Sequence, residues 1–370
     1  LRIAYLLDRP ELGGGVKVVF QHAALLAAAG HRVWVAGRGP RPGWAGDALA
    51  PGITYLDLGE AWEPAANSAS ERPPPLPEPV DLLIATYWTT LAAARAATRP
   101  AGGEPPRARA AVQLLQGYEP DWPHQRGNRA EIEAAYRAAA LPTLVVASHL
   151  GETVERRHGL PWHLAPPPVD PRFRPSPARG LWRWLRPRPR RRPWVVIPGI
   201  FEAEVKGVPV ALEAVRRLRQ GGLPCRLSRI SVLPQGDEER SLLAADRFLA
   251  AVPPTRVAAE LRCADLVLFP ARGGEGFGLP LLEAMASGVP AVASRLPSTE
   301  EMSDGGVALV PAGDAAAMAA AAEPLLTDHA TWLRARERGL AAAARYQPAR
   351  LAPRLEAAVE WAVATDGGER

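Results

Sequence analysis

What this sequence has little of narrows it first. Among 370 residues there are two cysteines, Cys225 and Cys263, far apart and with no His or Cys near either at metal-ligand spacing. That excludes a disulfide framework and a cysteine-based zinc site; the two read as reduced, part-buried thiols of a cytoplasmic protein. No run of about 18 uncharged apolar residues occurs, so no segment reads as a helix spanning a bilayer. The apolar part of the opening LRIAYLLDRPELGGG is too short for a signal peptide and is followed at once by charge and glycines, so it reads as a buried first strand. Lysine is almost missing: of 44 basic residues only Lys17 and Lys206 are lysines, and both lie beside glycine-rich turns. No Asp-x-Asp metal motif follows a strand and no nucleic-acid-binding module is recognisable, so neither a metal nor a nucleic-acid partner is expected.

What is there suits a globular enzyme. Hydrophobic residues make up 47% and charged residues 22% of a chain long enough for two domains with separate cores. A net charge of +5 and a pI near 9.6 suit anionic partners such as nucleotides, phospholipid headgroups or nucleic acid. Forty prolines, abundant alanine and arginine in place of lysine look like the coding bias of a GC-rich genome.

Short apolar strands alternate with helical stretches through the first half. Arg2 to Leu7 reads as a strand, Gly13-Gly14-Gly15 breaks it, and Val16 to Ala29 carries Val18, Val19, Ala23, Leu25 and Leu26 at helical spacing. Arg32 to Ala36, Asp81 to Ala85, Ala111 to Leu115 and Thr143 to Ala147 are further strands, apolar on both faces, which implies a parallel sheet covered on both sides. Between Pro166 and Pro193 the texture turns to proline and arginine, so a domain boundary is expected there. The pattern restarts with strands at Trp194 to Ile197, Asp265 to Phe269 and Pro290 to Ala293. Helices are expected at Gly207 to Arg219, Pro280 to Ser287, 315–327 and 330–345, and a last amphipathic one at Ala349 to Val363 that could cross back to the first domain. The expectation is an α/β protein of two doubly wound halves facing a cleft. The domains are read as 1–175 plus the helix 349–366, a linker at 176–193, and 194–348.

The strongest chemical signal is ADLVLFPARGGEGFGLPLLEAMASGVPAVAS, Ala264 to Ser294. A buried strand runs into a glycine-rich loop, and a helix starts near Pro280, where proline fits the first turn. Gly274, Gly276 and Gly278 permit a tight turn and bare amides, and the amides with the helix dipole make an anion site suited to a diphosphate. Glu283, one turn into the helix, is placed to accept from ribose hydroxyls, and Glu275, in the loop, to hold a sugar hydroxyl. Such loops also occur without a ligand.

This stretch resembles the E-x7-E signature of retaining GT-B glycosyltransferases of family 4, with Glu275 and Glu283 at its acidic positions. PSTEEMSDGGVALVPAGD continues the resemblance and aligns Glu301 with the family's glutamate. Gly13, Gly14 and Gly15 resemble the family's first glycine loop, whose amides face the donor phosphates; Lys17 just beyond also reads as a solvated surface lysine. IPGIFEAEVKG resembles the "V-G-R-x-x-x-x-K-G" element, with Lys206 on the lysine that neutralises the diphosphate as it leaves. Ile200 stands where many members have arginine. The resemblance implies a nucleotide-diphosphate sugar as co-substrate and no other cofactor. It puts Lys206 and the amides of Gly276, Phe277, Gly278 and Leu279 on the diphosphate, Glu283 on ribose, and Glu275 on the sugar. It implies transfer to an acceptor hydroxyl with retention, the leaving phosphate taking the proton.

Gln116, Tyr118 and Glu119 stand where many members carry a His facing sugar and acceptor. They resemble a rhamnosyltransferase-like subset, and a strand-end turn with a packed Tyr118 is the plain alternative. His22 reads equally as packing or substrate contact, His31 as a turn residue, and His124 and His149 as near the cleft by sequence order only. The arginine run Arg179 to Arg192, with Trp182, Trp184 and Trp194, reads as a solvated linker first and as contact with an anionic membrane second. Two rivals stay open: a weakened sugar-nucleotide-binding subunit, to which Ile200 points, and a nucleotide-sugar epimerase.

Overall fold

Strands with apolar side chains on both faces need cover on both sides, and both halves of the chain are built that way. The structure, a computed structural model, describes residues 1–10, 13–41, 43, 52–59, 62, 72–175 and 192–367. Seven strands form the first sheet: β1 (Arg2–Leu6), β2 (Arg32–Gly37), β3 (Ile53–Asp57), β4 (Val80–Ala85), β5 (Ala108–Leu115), β6 (Thr143–Val145) and β7 (Trp162–Leu164). Their order is β3-β2-β1-β4-β5-β6-β7, every pairing parallel, with Ile3 beside Val33 on one side and Leu82 on the other.

The second sheet has six: β8 (Trp194–Pro198), β9 (Arg226–Ser231), β10 (Arg247–Ala250), β11 (Leu266–Phe269), β12 (Ala291–Ser294) and β13 (Ala308–Val310). The order is β10-β9-β8-β11-β12-β13, again all parallel. Its core sets Val195, Ile197, Leu266 and Leu268 against Leu212 and Val215 of the helix Val208–Gln220 and Met318 and Leu326 of the helix Ala315–Thr327. Each such side chain contributes about 1.5–3 kcal/mol by leaving water. In each sheet the chain runs to one edge, then returns to the far side of its first strand. The reversals lie between β1 and β4 and between β8 and β11. Loops leaving the carboxyl ends of strands at such a reversal diverge, opening a crevice where ligands of open α/β sheets bind.

The chain divides into two units, Leu1–Pro168 with Pro348–Arg370, and Val169–Gln347. This corrects the boundary expected at 175: Val169 to Pro175 go with the second unit. The Val169 amide donates to the Tyr346 carbonyl at 2.8 Å, and Arg262 Nη1 to the Arg172 carbonyl at 3.3 Å. Residues 176–191 of the expected linker, with Trp182 and Trp184, lie outside the described residues.

The last helix, Pro348–Asp366, packs on β5 and on the helix Gly14–Ala28 of the first unit. A buried ion pair holds its end. Arg95 donates from Nη1 to Asp366 Oδ1 at 2.8 Å and from Nε to the Ala139 carbonyl at 2.7 Å, and Asp366 Oδ2 accepts from the Ala111 amide at 2.9 Å. Removing one partner strands the other's charge. Asp366→Ala is therefore expected to destabilise the first unit by about 3–5 kcal/mol. Hydrogen exchange should show protection lost across Pro348–Asp366 and unchanged in Val208–Gln220.

Candidate functional site

At the second reversal, two loops meet through a glycine. The loop after β8 runs from Gly199 to a 3-10 turn at Glu204–Lys206 and ends on Gly207. Gly207 has φ +59, and a Cβ there would stand 2.1 Å from the Pro270 carbonyl oxygen, which belongs to the loop after β11. The Arg272 amide donates to the Val205 carbonyl at 2.9 Å and ties the same loops again. Only glycine fits both the backbone angle and the contact. This docking sets Lys206 Nζ 2.8 Å from Glu275 Oε2, with the lysine side chain 35% exposed and the glutamate 11%. The expectation gave these residues separate tasks; the structure joins them as an ion pair. An ammonium has three donors, so one bond to Glu275 leaves two for phosphate oxygens.

Arg229, fully buried on β9, holds the first of these loops from below. It donates from Nη2 to the Gly199 carbonyl at 2.8 Å and from Nη1 to the Ile197 carbonyl, and it pairs through Nε with the buried Glu239. Burial lowers its pKa while Glu239 opposes the shift. Sequence reading missed this pair; its one signal is an arginine in the middle of RLSRIS. Ile200, the next residue along the loop, is half-buried and brings no charge.

The glycine loop then delivers the helix Leu279–Ala286. Gly278 caps it at φ +96, and Pro280 sits in its first turn. Helix starts leave amides without intrahelical partners, so the sequence Gly276, Phe277, Gly278, Leu279 opens onto a positive helix end. The Phe277 ring turns into the core and meets Tyr346 edge-on at 5.3 Å, so this residue offers the site only its backbone. Glu283 is 7% exposed on the same helix.

In the first unit the structure unites some of the expected residues and separates others. Gly13, Gly14 and Gly15 are exposed at the start of the helix Gly14–Ala28, and a Cβ on Gly15 would lie 3.4 Å from Gln116 Oε1. Gln116 thus lies over the glycine loop. Half-buried Lys17 follows, its amide donating to the Gly13 carbonyl at 3.2 Å.

Tyr118 and Glu119 depart from the acceptor role expected of them. The Tyr118 ring lies buried between Tyr136 and His158, with the Arg157 guanidinium 4.7 Å from its centroid and the His158 Nε2 2.8 Å from its hydroxyl. Glu119 is buried and accepts from the Tyr136 hydroxyl. Contacts with Tyr136, His158 and Arg157 turn them inward, with Tyr118 packed as in the strand-end reading. His22 is packing too: fully buried, it meets the Pro166 carbonyl at 3.3 Å, and burial pushes its pKa down to about 4. His124 is exposed beside Trp122, whose ring fills the space a Cβ on Gly117 would need.

Two outcomes are expected. Gly207→Ala should cost about 2 kcal/mol or more through the clash and the strained backbone angle, and denaturant titration of the second unit measures it. Glu119 tests the buried cluster. Burial raises its pKa from 4.5 to about 7, so the folded state holds its proton more tightly than the unfolded one. Stability from this group is full below pH 4.5 and is lost as pH rises to about 7, a change of about 3 kcal/mol. The advantage of Glu119→Gln over the parent should therefore grow between pH 4.5 and 7 and stay level above. A pH-independent difference in denaturation midpoints would refute this.

Comparison with known proteins places these features. Residues 192–328 match the family described as Glycosyl transferases group 1. The phosphatidyl-myo-inositol mannosyltransferase of Mycobacterium leprae is 36% identical over 190 residues, 49% of this chain and 50% of that one. The putative colanic acid biosynthesis glycosyltransferase WcaL of Escherichia coli is 34% identical over 150 residues, 36% of this chain and 37% of its own. The chain thus spans about half the length, or less, of these relatives. Among solved structures, sucrose-phosphate synthase of Thermosynechococcus elongatus superposes with a TM-score of 0.75 at 18% identity, covering 99% of this chain and 100% of that one. HepE of Anabaena, in complex with UDP and glucose, does so with 0.71 at 14%, covering 97% and 99%. At such identity these structures speak for the fold alone. Residues 192–328 thus carry the match to glycosyl transferases group 1, and the whole chain shares the two-sheet fold of these solved structures.

Proposed function

We propose that this protein transfers a sugar from a nucleoside-diphosphate donor to an acceptor hydroxyl with retention at the anomeric carbon. The observation that carries the reading is the Lys206–Glu275 pair, fixed where the loops after β8 and β11 meet and beside the start of the helix Leu279–Ala286. In this reading the anomeric carbon–phosphate oxygen bond breaks and a bond to the acceptor oxygen forms on the same face of the sugar. The acceptor proton passes to the leaving diphosphate, so the step needs no metal. Lys206 and the Gly276 to Leu279 amides take up charge as it develops on the diphosphate, where preorganised donors stabilise a transition state most. Glu283 receives the ribose hydroxyls. Glu275 orients the donor sugar with one carboxylate oxygen while the other holds Lys206.

The acceptor is bound on the first unit, near Gln116 and the loop Gly13 to Gly15. The relatives named for phosphatidyl-myo-inositol and for colanic acid favour a glycolipid or cell-surface polysaccharide acceptor. Nucleotide sugars place the work in the cytoplasm, at the membrane's inner face for a lipid acceptor. Among the described residues no helix is long and apolar enough to cross a membrane. Ile200 supports a second reading, a subunit that binds the donor without turning it over.

Thermal unfolding with UDP-, GDP-, ADP- and dTDP-sugars tests the donor site, because a ligand bound only by the folded state raises the melting temperature. One nucleotide family is expected to raise it, and Glu283→Ala to abolish the rise. Absence of any shift would sink the donor reading. Binding with no product from any hydroxyl acceptor would favour the binding subunit, and an inverted anomeric coupling in the product would overturn retention.

A further inference from the structure

We infer that Arg272 is the cation that draws and holds the donor diphosphate, a task that Lys206 alone is too nearly neutralised to perform; this rests on the donor reading above. The loops 199–206 and 270–278 contain two cations, Lys206 and Arg272, against three carboxylates, Glu202, Glu204 and Glu275. Lys206 is held at 2.8 Å by Glu275, so this pair presents little net charge to a multiply anionic ligand. Ile200 adds none, and Arg229 is buried and balanced by Glu239. Arg272 differs from both cations: its side chain is exposed, and among the described residues its guanidinium makes no hydrogen bond or ion pair.

Its placement is built rather than incidental. The backbone is tied to the Lys206 loop by the 2.9 Å bond from the Arg272 amide to the Val205 carbonyl. Its Cγ lies 3.0 Å from where a Cβ on Gly207 would stand, and Nε and Nη2 each 4.0 Å from where one on Gly313 would. The arm therefore runs between two residues without side chains, rooted beside Lys206 and unobstructed at its tip. A guanidinium offers five donors in a planar fork matched to two phosphate oxygens, and it stays charged at any working pH. Arg272 lies three residues before Glu275, on the loop whose Gly276 to Leu279 amides face the same anion. Lys206 then stabilises charge on the departing diphosphate, and Arg272 supplies ground-state attraction and a share of the affinity.

Calorimetric titration of the full chain with UDP, GDP, ADP and dTDP, and with the matching monophosphates, tests this. Arg272→Ala should weaken the diphosphate that binds by about 10- to 100-fold, and Arg272→Glu should weaken it further. Monophosphate affinity should fall much less, and the loss of diphosphate affinity with added salt should become shallower. Because the side chain is exposed and unpaired, melting temperatures without ligand should stay at the parent's. Parent binding that both variants retain in full overturns the inference and leaves the donor reading standing. So does an equal loss of mono- and diphosphate affinity in the two variants. A parent that binds none of the four diphosphates overturns both.

Discussion

The contact of Gly207 with the Pro270 carbonyl governs the second unit's chemistry. Two loops that leave different strands of a parallel sheet would ordinarily stay apart, since each strand end points its loop into solvent. Here a residue with no side chain lets one backbone rest on the other, and the Arg272 amide closes a second link to Val205. The Lys206–Glu275 pair is a consequence of that docking. An exposed lysine and a carboxylate placed freely would gain about 1 kcal/mol or less from pairing. The pair is informative because rigid backbones hold it in place, and because Glu275 is largely out of water.

Buried charge serves the same end in both units. Arg229 with Glu239 holds the carbonyls of Ile197 and Gly199, and Arg95 with Asp366 holds those of Ala139 and Ala140. Burying such pairs is costly, and apolar replacements of equal volume often match them in stability. What the guanidinium adds is direction: several donors aimed at backbone carbonyls, locating a loop or a helix end. The Glu119 carboxyl, with the Tyr136 hydroxyl as its donor and no cation, shows the opposite case, with its pKa pushed up to about 7. His22, held neutral down to about pH 4, makes the same unit less stable as acid is added below about pH 6.5, where Glu119 makes it more stable. The two trends oppose each other.

Much of the fold was legible because it is local. The strands at Arg2–Leu6, Val80–Ala85 and Leu266–Phe269 hold the apolar runs IAYL, LLIA and LVLF, and the helices Gly14–Ala28 and Val208–Gln220 carry their apolar residues at helical spacing between glycines. β9 and β10 were not legible. RLSRIS and RFLA contain arginines that the tertiary structure satisfies with Glu239, with Glu260 and with the Trp194 ring, partners that lie outside the strands themselves. The shift of the boundary from 175 to 168 has the same origin, for it turns on Val169 bonding to Tyr346 far along the chain.

By itself the sequence determined the alternation of strands and helices, the two parallel sheets and the glycine loop that starts the helix Leu279–Ala286. These follow from side-chain periodicity and backbone angles within a few residues. Only the tertiary structure decided that Lys206 meets Glu275 across 69 positions, that Gln116 lies over Gly15 while Tyr118 and Glu119 turn inward, and that Arg272 is left unpaired among the described residues. Those outcomes depend on which loops the sheet order brings together and on how much water each polar group keeps, and neither is a property of a local stretch of chain.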